Sequence, residues 1–279
     1  VRRRFAANRS PDRLAAAETD APDSRYLVLS RRAVTVAQIE SIDDVRALAG
    51  GTYYPNSLEN FLHYRYGLDL DAARLADLSA HGATPEIRKQ ANNELGFLTP
   101  IIKGFITEVG YEATNHGVQV MGGHGYMREH GMEQLVRDCR IATIYEGTTQ
   151  VQALDLVGRK TLMAQGKPLA AFVEQLRAFC AANASNEAVK PYVATLSAKL
   201  DEWQDLTQKV MMKTMSGGFD EAGAASVDYL MYSGYVVVSY WWARMAAVSA
   251  AKLAAGEGDT KFHQSKLHTA KFWYDRMLP

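Results

Sequence analysis

From about Asp69 onward the sequence predicts an all-α protein, on three observations. Apolar side chains recur at the three-and-four spacing of helices, the runs are bounded by capping residues, prolines and glycines, and the helical texture continues to Pro279. Before it, residues 1–66 are mixed in pattern. Tyr26–Leu29 within Arg25–Val36 has strand character, and Gly50-Gly51 with Pro55-Asn56 marks a turn. No role is assigned to this segment.

The elements follow in order. Leu70, Ala73, Leu75 and Leu78 mark a first helix, which His81-Gly82-Ala83 breaks. Thr84-Pro85-Glu86 starts the next: threonine accepts at the N-cap, proline lacks an N–H that would go unpaired anyway, and glutamate complements the helix dipole. Ile87, Ala91, Leu95, Leu98, Ile102, Phe105, Ile106, Val109, Ala113 and Val118 then paint one apolar stripe. This helix should run to about Val120 with a kink at Pro100, and a loop at Met121–Gly125 should end it. Met132, Leu135, Val136 and Cys139 define a short helix, and Gln150, Leu154, Val157 and Met163 another. Four more are expected at Pro168–Ala181, Glu187–Met215, Ala222–Ala255 and Lys261–Leu278, separated by Ala182–Asn186, Ser216-Gly217-Gly218 and Gly256–Asp259. Tyr229, Tyr232, Tyr235, Val236, Tyr240, Trp241 and Trp242 make the third of these apolar nearly all round, which suits the centre of a bundle better than the lining of a tunnel. Leu267, Ala270, Tyr274 and Met277 form a heptad-like seam in the last.

Bulk properties exclude several functions. The 31 Lys and Arg balance 31 Asp and Glu, so no global charge attracts nucleic acid or anionic lipid. The uncharged run between Asp228 and Arg244 is shorter than the roughly 20 residues of a membrane span. Two cysteines, Cys139 and Cys180, make neither a disulfide framework nor a zinc pair and read as core thiols in a reducing compartment, so a cytoplasmic protein is expected. The start Val1-Arg2-Arg3-Arg4-Phe5 has no apolar block behind it, and Asp12, Glu18, Asp20 and Asp23 argue against a presequence. His116, His124 and His130 lack metal-ligand spacing, so no metal site is expected.

Two stretches carry chemistry. Ile144-Tyr145-Glu146-Gly147-Thr148-Thr149-Gln150 places one carboxylate at a glycine-marked junction between two helices, where packed elements on both sides can hold a base. Upstream, Gln119-Val120-Met121-Gly122-Gly123-His124-Gly125-Tyr126 is glycine-dense, so its main chain can approach a phosphate-bearing ligand closely, although a glycine helix terminator has the same composition. Arg137-Asp138 and Arg140 read either as an ion pair bracing the loop before Glu146 or as a solvated face.

These stretches, together with Leu98-Thr99-Pro100-Ile101-Ile102, Glu133–Ile141 and Asp155–Lys160, resemble the C-terminal α-domain of the acyl-CoA dehydrogenases, most of all the longer bacterial members with an added helical domain. The resemblance covers residues 67–279. It implies an acyl-CoA dehydrogenase C-terminal bundle over 67–164 and an additional C-terminal helical domain, truncated, over 165–279. Because residues 1–66 do not look like the family's β-domain, it also implies a fragment that carries the catalytic base of an FAD-dependent enzyme.

The family reaction removes an α-proton from an acyl-CoA thioester while a β-hydride leaves for the flavin, giving a trans-2-enoyl-CoA. The resemblance makes Glu146 the base. Ile144 and Tyr145 would be its apolar neighbours, Gly147 would leave room for the thioester, and the Glu146 N–H would donate to the thioester carbonyl. It assigns FAD contacts to Thr148, Thr149 and Gln150, residues that equally suit N-capping, and to Gln119, Val120, Met121, Gly122 and Gly123, the latter group toward the FAD of a neighbouring subunit in a homo-oligomer. Electron-transfer flavoprotein is the implied partner. An acyl-CoA oxidase, and a non-catalytic helical oligomerisation module, are the alternatives.

Overall fold

The computed structural model describes residues 68–279, so the strand and turn expected within 1–66 lie outside the described residues. The described chain is helical throughout: α1 (Leu68–His81), α2 (Pro85–Met121), the short α3 (Gly123–Tyr126), α4 (Met132–Arg140), α5 (Thr149–Leu154), α6 (Lys167–Asn183), α7 (Lys190–Gly217), α8 (Phe219–Ala255) and α9 (Thr260–Phe272). Single 3₁₀ turns at Arg128–His130 and Ile141–Thr143 flank α4, and π-helical turns extend α5 over Asp155–Met163 and α9 over Trp273–Met277.

The caps explain why most bounds follow the sequence. Thr84 Oγ1 accepts from Ile87 N at 3.3 Å, Thr148 Oγ1 from Val151 N at 3.4 Å, and an Asp259 carboxylate oxygen from Lys261 N at 2.9 Å and Phe262 N at 3.2 Å. Gly256 closes α8 in the left-handed conformation, with φ 69°. As expected, α2 continues past Pro100, which is buried within the helix. Met121–Gly125 is not a plain loop. Gly122 turns the chain, and residues 123–126 form α3, packed so tightly that a Cβ on Gly125 would stand 2.7 Å from the Val118 carbonyl oxygen.

α2 and α8, each of 37 residues, are the long members of the bundle, and they pack directly on one another. α1, α4, α5 and α6 also touch α2, while α5, α7 and α9 also touch α8. One continuous core joins Phe97, Leu98, Ile101 and Phe105 of α2 to Leu156, Leu176, Leu196, Trp203, Leu230, Val236 and Trp242. The aromatic run of α8 belongs to this core, as its all-round apolar character predicts. Several of its polar atoms are paired: Tyr229 OH and Thr207 Oγ1 lie 2.8 Å apart, and Ser239 accepts from Trp273 Nε1 on its hydroxyl and from Tyr274 OH on its carbonyl, both at 2.8 Å.

Two expected faces are corrected. Leu154 and Met163 are exposed, and alongside Val157, buried as expected, the segment buries Ala153, Leu156 and Thr161. At the end of α9, Met277 is exposed whereas Trp273, Tyr274 and Leu278 are buried. For Met163 and Met277 the reason is the same: a π turn bonds each N–H one residue farther back than an α turn, so it carries the side chains along it out of the three-and-four register. Leu154 precedes the π turn, and its exposure is set by α5 itself.

The crossing of α2 and α8 is close because each helix offers a glycine to a large side chain of the other. A Cβ on Gly104 would meet Leu230 Cδ1 at 2.7 Å, and one on Gly234 would meet the Phe105 ring at 2.2 Å. Gly234→Ala is therefore expected to lower unfolding free energy by about 1–3 kcal/mol, the usual cost of overpacking, measured by urea denaturation. Gly223→Ala, on the same helix with nothing within 4 Å, serves as the control and should be neutral or stabilising by up to about 1 kcal/mol.

Candidate active site

Glu146 stands in the short connection between α4 and α5, after the 3₁₀ turn Ile141–Thr143, which closes through Ile144 N to Ile141 O at 3.1 Å. Its φ of 50° is left-handed, one of two such non-glycine residues among those described, and Gly147 follows at φ 91°. A left-handed conformation is costly for a residue with a Cβ and persists only where the surroundings impose it. Here they do so from three sides.

The first hold is Lys103 of α2, whose Nζ donates to the carbonyl of Ala142 at 2.7 Å and to that of Gly147 at 2.7 Å. One ammonium thus ties both ends of the connection to the long helix, with the Tyr145 ring centroid 5.6 Å away. Partial burial pushes the Lys103 ammonium below its ordinary range, while the Glu108 and Glu146 carboxylates act in the opposite sense. The second hold is Thr149, whose hydroxyl donates to Glu108 of α2. The third is Gln150, whose Nε2 donates to Ser226 Oγ of α8 at 3.1 Å. Thr148 caps α5.

Arg140 adds a brace before the loop. Its guanidinium lies 5.2 Å from the Tyr111 ring centroid and donates to Thr143 Oγ1 at 3.1 Å. Asp138 instead accepts from Gln134 Nε2 at 2.6 Å. Of the two readings of Arg137, Asp138 and Arg140, the solvated face fits: all three are exposed, and Arg140 braces the loop through a cation–π contact and a hydrogen bond.

Glu146 itself is exposed. Ile144 and Tyr145 are 52 % and 49 % exposed, so they form an open apolar rim around the carboxylate instead of a closed wall. The hydrogen bonds that shape the connection engage Ile144 N and the carbonyls of Ala142 and Gly147, and leave the Glu146 N–H outside them.

The five residues Gln119–Gly123 are exposed at the far end of α2. Gln119 is 16 residues beyond Lys103 on that helix, about 24 Å along its axis at about 1.5 Å per residue, so the two stretches are not brought together within the chain. Gly122 has φ 58° and accepts the turn, and a Cβ at Gly122 or Gly123 would meet nothing within 4 Å. The main chain there is open to a ligand or a second surface. Among the described residues no three His, Cys, Asp or Glu side chains gather as a metal site. His116 lies 3.6 Å from Glu112, and the rings of His124 and His130 meet edge to face at 5.2 Å. Cys139 and Cys180 are buried, as their reading as core thiols suggests.

Lys103, Glu108 and Ser226 escape a motif search because they lie far from Glu146 in sequence. One signal pointed to the first: Lys103 interrupts the apolar run Pro100-Ile101-Ile102-Lys103-Gly104-Phe105-Ile106 on a stripe that is otherwise core.

Comparison with known proteins matches residues 60–162 to the model for the acyl-CoA dehydrogenase C-terminal domain and residues 172–279 to that described as acetyl-CoA dehydrogenase C-terminal like. The 3-methylmercaptopropionyl-CoA dehydrogenase of Ruegeria pomeroyi is 35% identical over 72% of this chain and 34% of its own length. The broad-specificity linear acyl-CoA dehydrogenase of Mycobacterium tuberculosis is 30% identical over 77% of this chain and 36% of its own. The chain therefore spans about a third of the length of these curated relatives. Caenorhabditis elegans ACDH-11, solved in complex with C11-CoA, superposes with a TM-score of 0.58 at 20% identity, covering 83% of this chain and 39% of that one, a likeness of fold.

The left-handed backbone at Glu146 has a measurable cost. Glu146→Gly is expected to raise unfolding free energy by about 1 kcal/mol through relief of that conformation, read from the urea midpoint. A lower midpoint would show that Glu146 is not strained there.

Proposed function

The chain belongs to the acyl-CoA dehydrogenase family, and from that premise we propose that it carries the catalytic base of an α,β-dehydrogenation of acyl-CoA thioesters, with Glu146 as that base. The observation that carries this reading is the backbone at Glu146–Gly147: two consecutive left-handed residues, clamped at both ends of their loop by Lys103. Strain of this kind is maintained where a side chain must be aimed.

In this reading Glu146 takes the α-proton of the bound thioester, and its own N–H donates to the thioester carbonyl, stabilising the enolate-like charge that develops on oxygen. Gly147 keeps the approach to that carbonyl free of a side chain. Ile144 and Tyr145 line the acyl side of the carboxylate and become covered when substrate is seated, so the base works away from bulk water.

FAD, when bound, supplies the acceptor for the β-hydride, and the product is a trans-2-enoyl-CoA. The start of α5 fits the role of a flavin contact, since Thr148 and Thr149 present hydroxyls and Gln150 an amide at the mouth of the site. The open main chain at Gly122–Gly123 fits a second flavin contact, made to a neighbouring copy because it is so far along α2 from Glu146. Electrons then pass to an electron-transfer flavoprotein. We propose that residues 67–164 carry this chemistry and that 165–279 form a second helical unit that shares their core.

Glu146→Gln in the natural protein loaded with FAD should slow flavin reduction by a saturated straight-chain acyl-CoA by about 100- to 10,000-fold, the range for loss of a general base, followed as bleaching of the oxidised flavin under anaerobic stopped flow. Undiminished reduction would remove Glu146 from the mechanism. Rapid reoxidation of the reduced flavin by air would instead favour an oxidase.

A further inference from the structure

Lys103 is a half-buried cation at the edge of the core. It stands on α2 between Ile102 and Gly104, where the neighbouring side chains enter the core, yet its nitrogen leaves the helix to meet carbonyls 39 and 44 residues later in sequence. Those two carbonyls, of Ala142 and Gly147, bracket the Glu146 loop. Neither the cap of α5 nor the 3₁₀ closure at Ile144 supplies them with a donor.

We propose that Lys103 is a positioning residue for Glu146: its ammonium clamps the 142–147 connection so that the carboxylate is held in its left-handed, outward-aimed conformation before substrate arrives. The proposal rests on the reading of Glu146 as the base. A compact ammonium suits this task because its donors radiate from one atom and can serve two carbonyls approaching from different directions, whereas a guanidinium presents its donors in a flat fork. The Gly147 carbonyl, once engaged by Lys103, fixes the orientation of the peptide that follows Glu146–Gly147. Partial burial of the ammonium reduces the competition from water for both hydrogen bonds. Lys103 is not a catalytic residue in this account, since it touches only the loop.

Two readouts separate positioning from general support of the fold. The first is amide hydrogen exchange of this chain without any ligand. Lys103→Met should accelerate exchange across residues 142–148 by about 10-fold or more, as local opening is set by the contacts holding a segment, while α7 and α8 keep their protection. The second is kinetic and uses the natural protein with FAD and a saturated straight-chain acyl-CoA. Lys103→Met should lower kcat about 100-fold, the effect of a misplacement of about 1 Å, with KM changed less than about threefold because uniform binding is retained. Lys103→Arg should recover part of both losses.

Unchanged exchange at 142–148, an unchanged kcat, or acceleration spread evenly over all helices would overturn the proposal. If Lys103→Met does not fold, Lys103→Gln takes its place, with the same localised loosening required and fold-wide loosening again counting against it. The two readings fail separately. If Glu146→Gln abolishes reduction while Lys103→Met changes nothing, the positioning role alone is lost. If Glu146→Gln reduces normally, the base assignment is lost, whatever the exchange at 142–148 shows.

Discussion

The close crossing of α2 and α8 is the constraint on which the other elements depend. Leu230 stands over Gly104 and Phe105 over Gly234, so two large apolar side chains each occupy the place of a missing one on the opposite helix. A crossing built this way admits little sliding, because displacement along either axis drives a ring or an isobutyl group into backbone. The residues that hold the candidate site are neighbours of this lock. Lys103 immediately precedes Gly104, Glu108 is one turn beyond it, and Ser226 is one turn before Leu230. The three holds on the Glu146 connection therefore spring from the most rigid part of the bundle, and a loop with little hydrogen bonding of its own inherits a fixed geometry.

This arrangement explains how an exposed carboxylate can be precisely aimed without being buried. A loop glutamate ordinarily samples many conformers, and ordering it during binding costs free energy. Here the backbone cost is met in folding: Glu146 adopts φ 50°, and the clamp from Lys103 and the tethers at Thr149 and Gln150 oppose its relaxation. The side chain remains open to solvent while its loop is tied to α2 and α8, which is the division of labour a site needs when substrate must still enter.

Much of this was legible in the sequence, for identifiable reasons. Helix limits were written in caps: Thr84-Pro85-Glu86, Thr148 and Asp259 offered oxygen acceptors to free N–H groups, and Gly256 offered a left-handed turn. The centrality of α8 followed from a run with no polar face. What escaped were features whose physical cause leaves no period in the sequence. The π turns at Asp155–Met163 and Trp273–Met277 change the register without changing composition, so Met163 and Met277 were expected on apolar faces and are exposed. The brace at Arg140 pairs with Tyr111 across two helices, a contact no local pattern encodes. Glu146 was legible because a glycine and a capping threonine surround it, whereas its clamp was not, because a lone lysine in an apolar stripe is ordinarily a side chain that reaches out to water.

The separation between Glu146 and Gln119–Gly123 bears on how such a chain assembles. Both stretches are exposed, both are shaped by glycines with positive φ, and α2 holds them roughly 24 Å apart along its axis, at about 1.5 Å per residue. A rigid spacer of that length cannot fold the two onto one small ligand. If each stretch meets a flavin, as the family reading has it, either a single extended cofactor runs the length of α2 or the two serve different copies of the cofactor. The open surface around the second stretch suits the second arrangement. Val120 and Tyr126, 87 % and 81 % exposed, flank the bare main chain of Gly122–Gly123. Two large apolar side chains beside an unencumbered backbone suit contact with another protein surface better than with a solvated nucleotide alone. The rigidity of α2 would then do two things at once, fixing the base of one site and presenting a contact to the next, which makes the register of the α2 and α8 crossing a determinant of both.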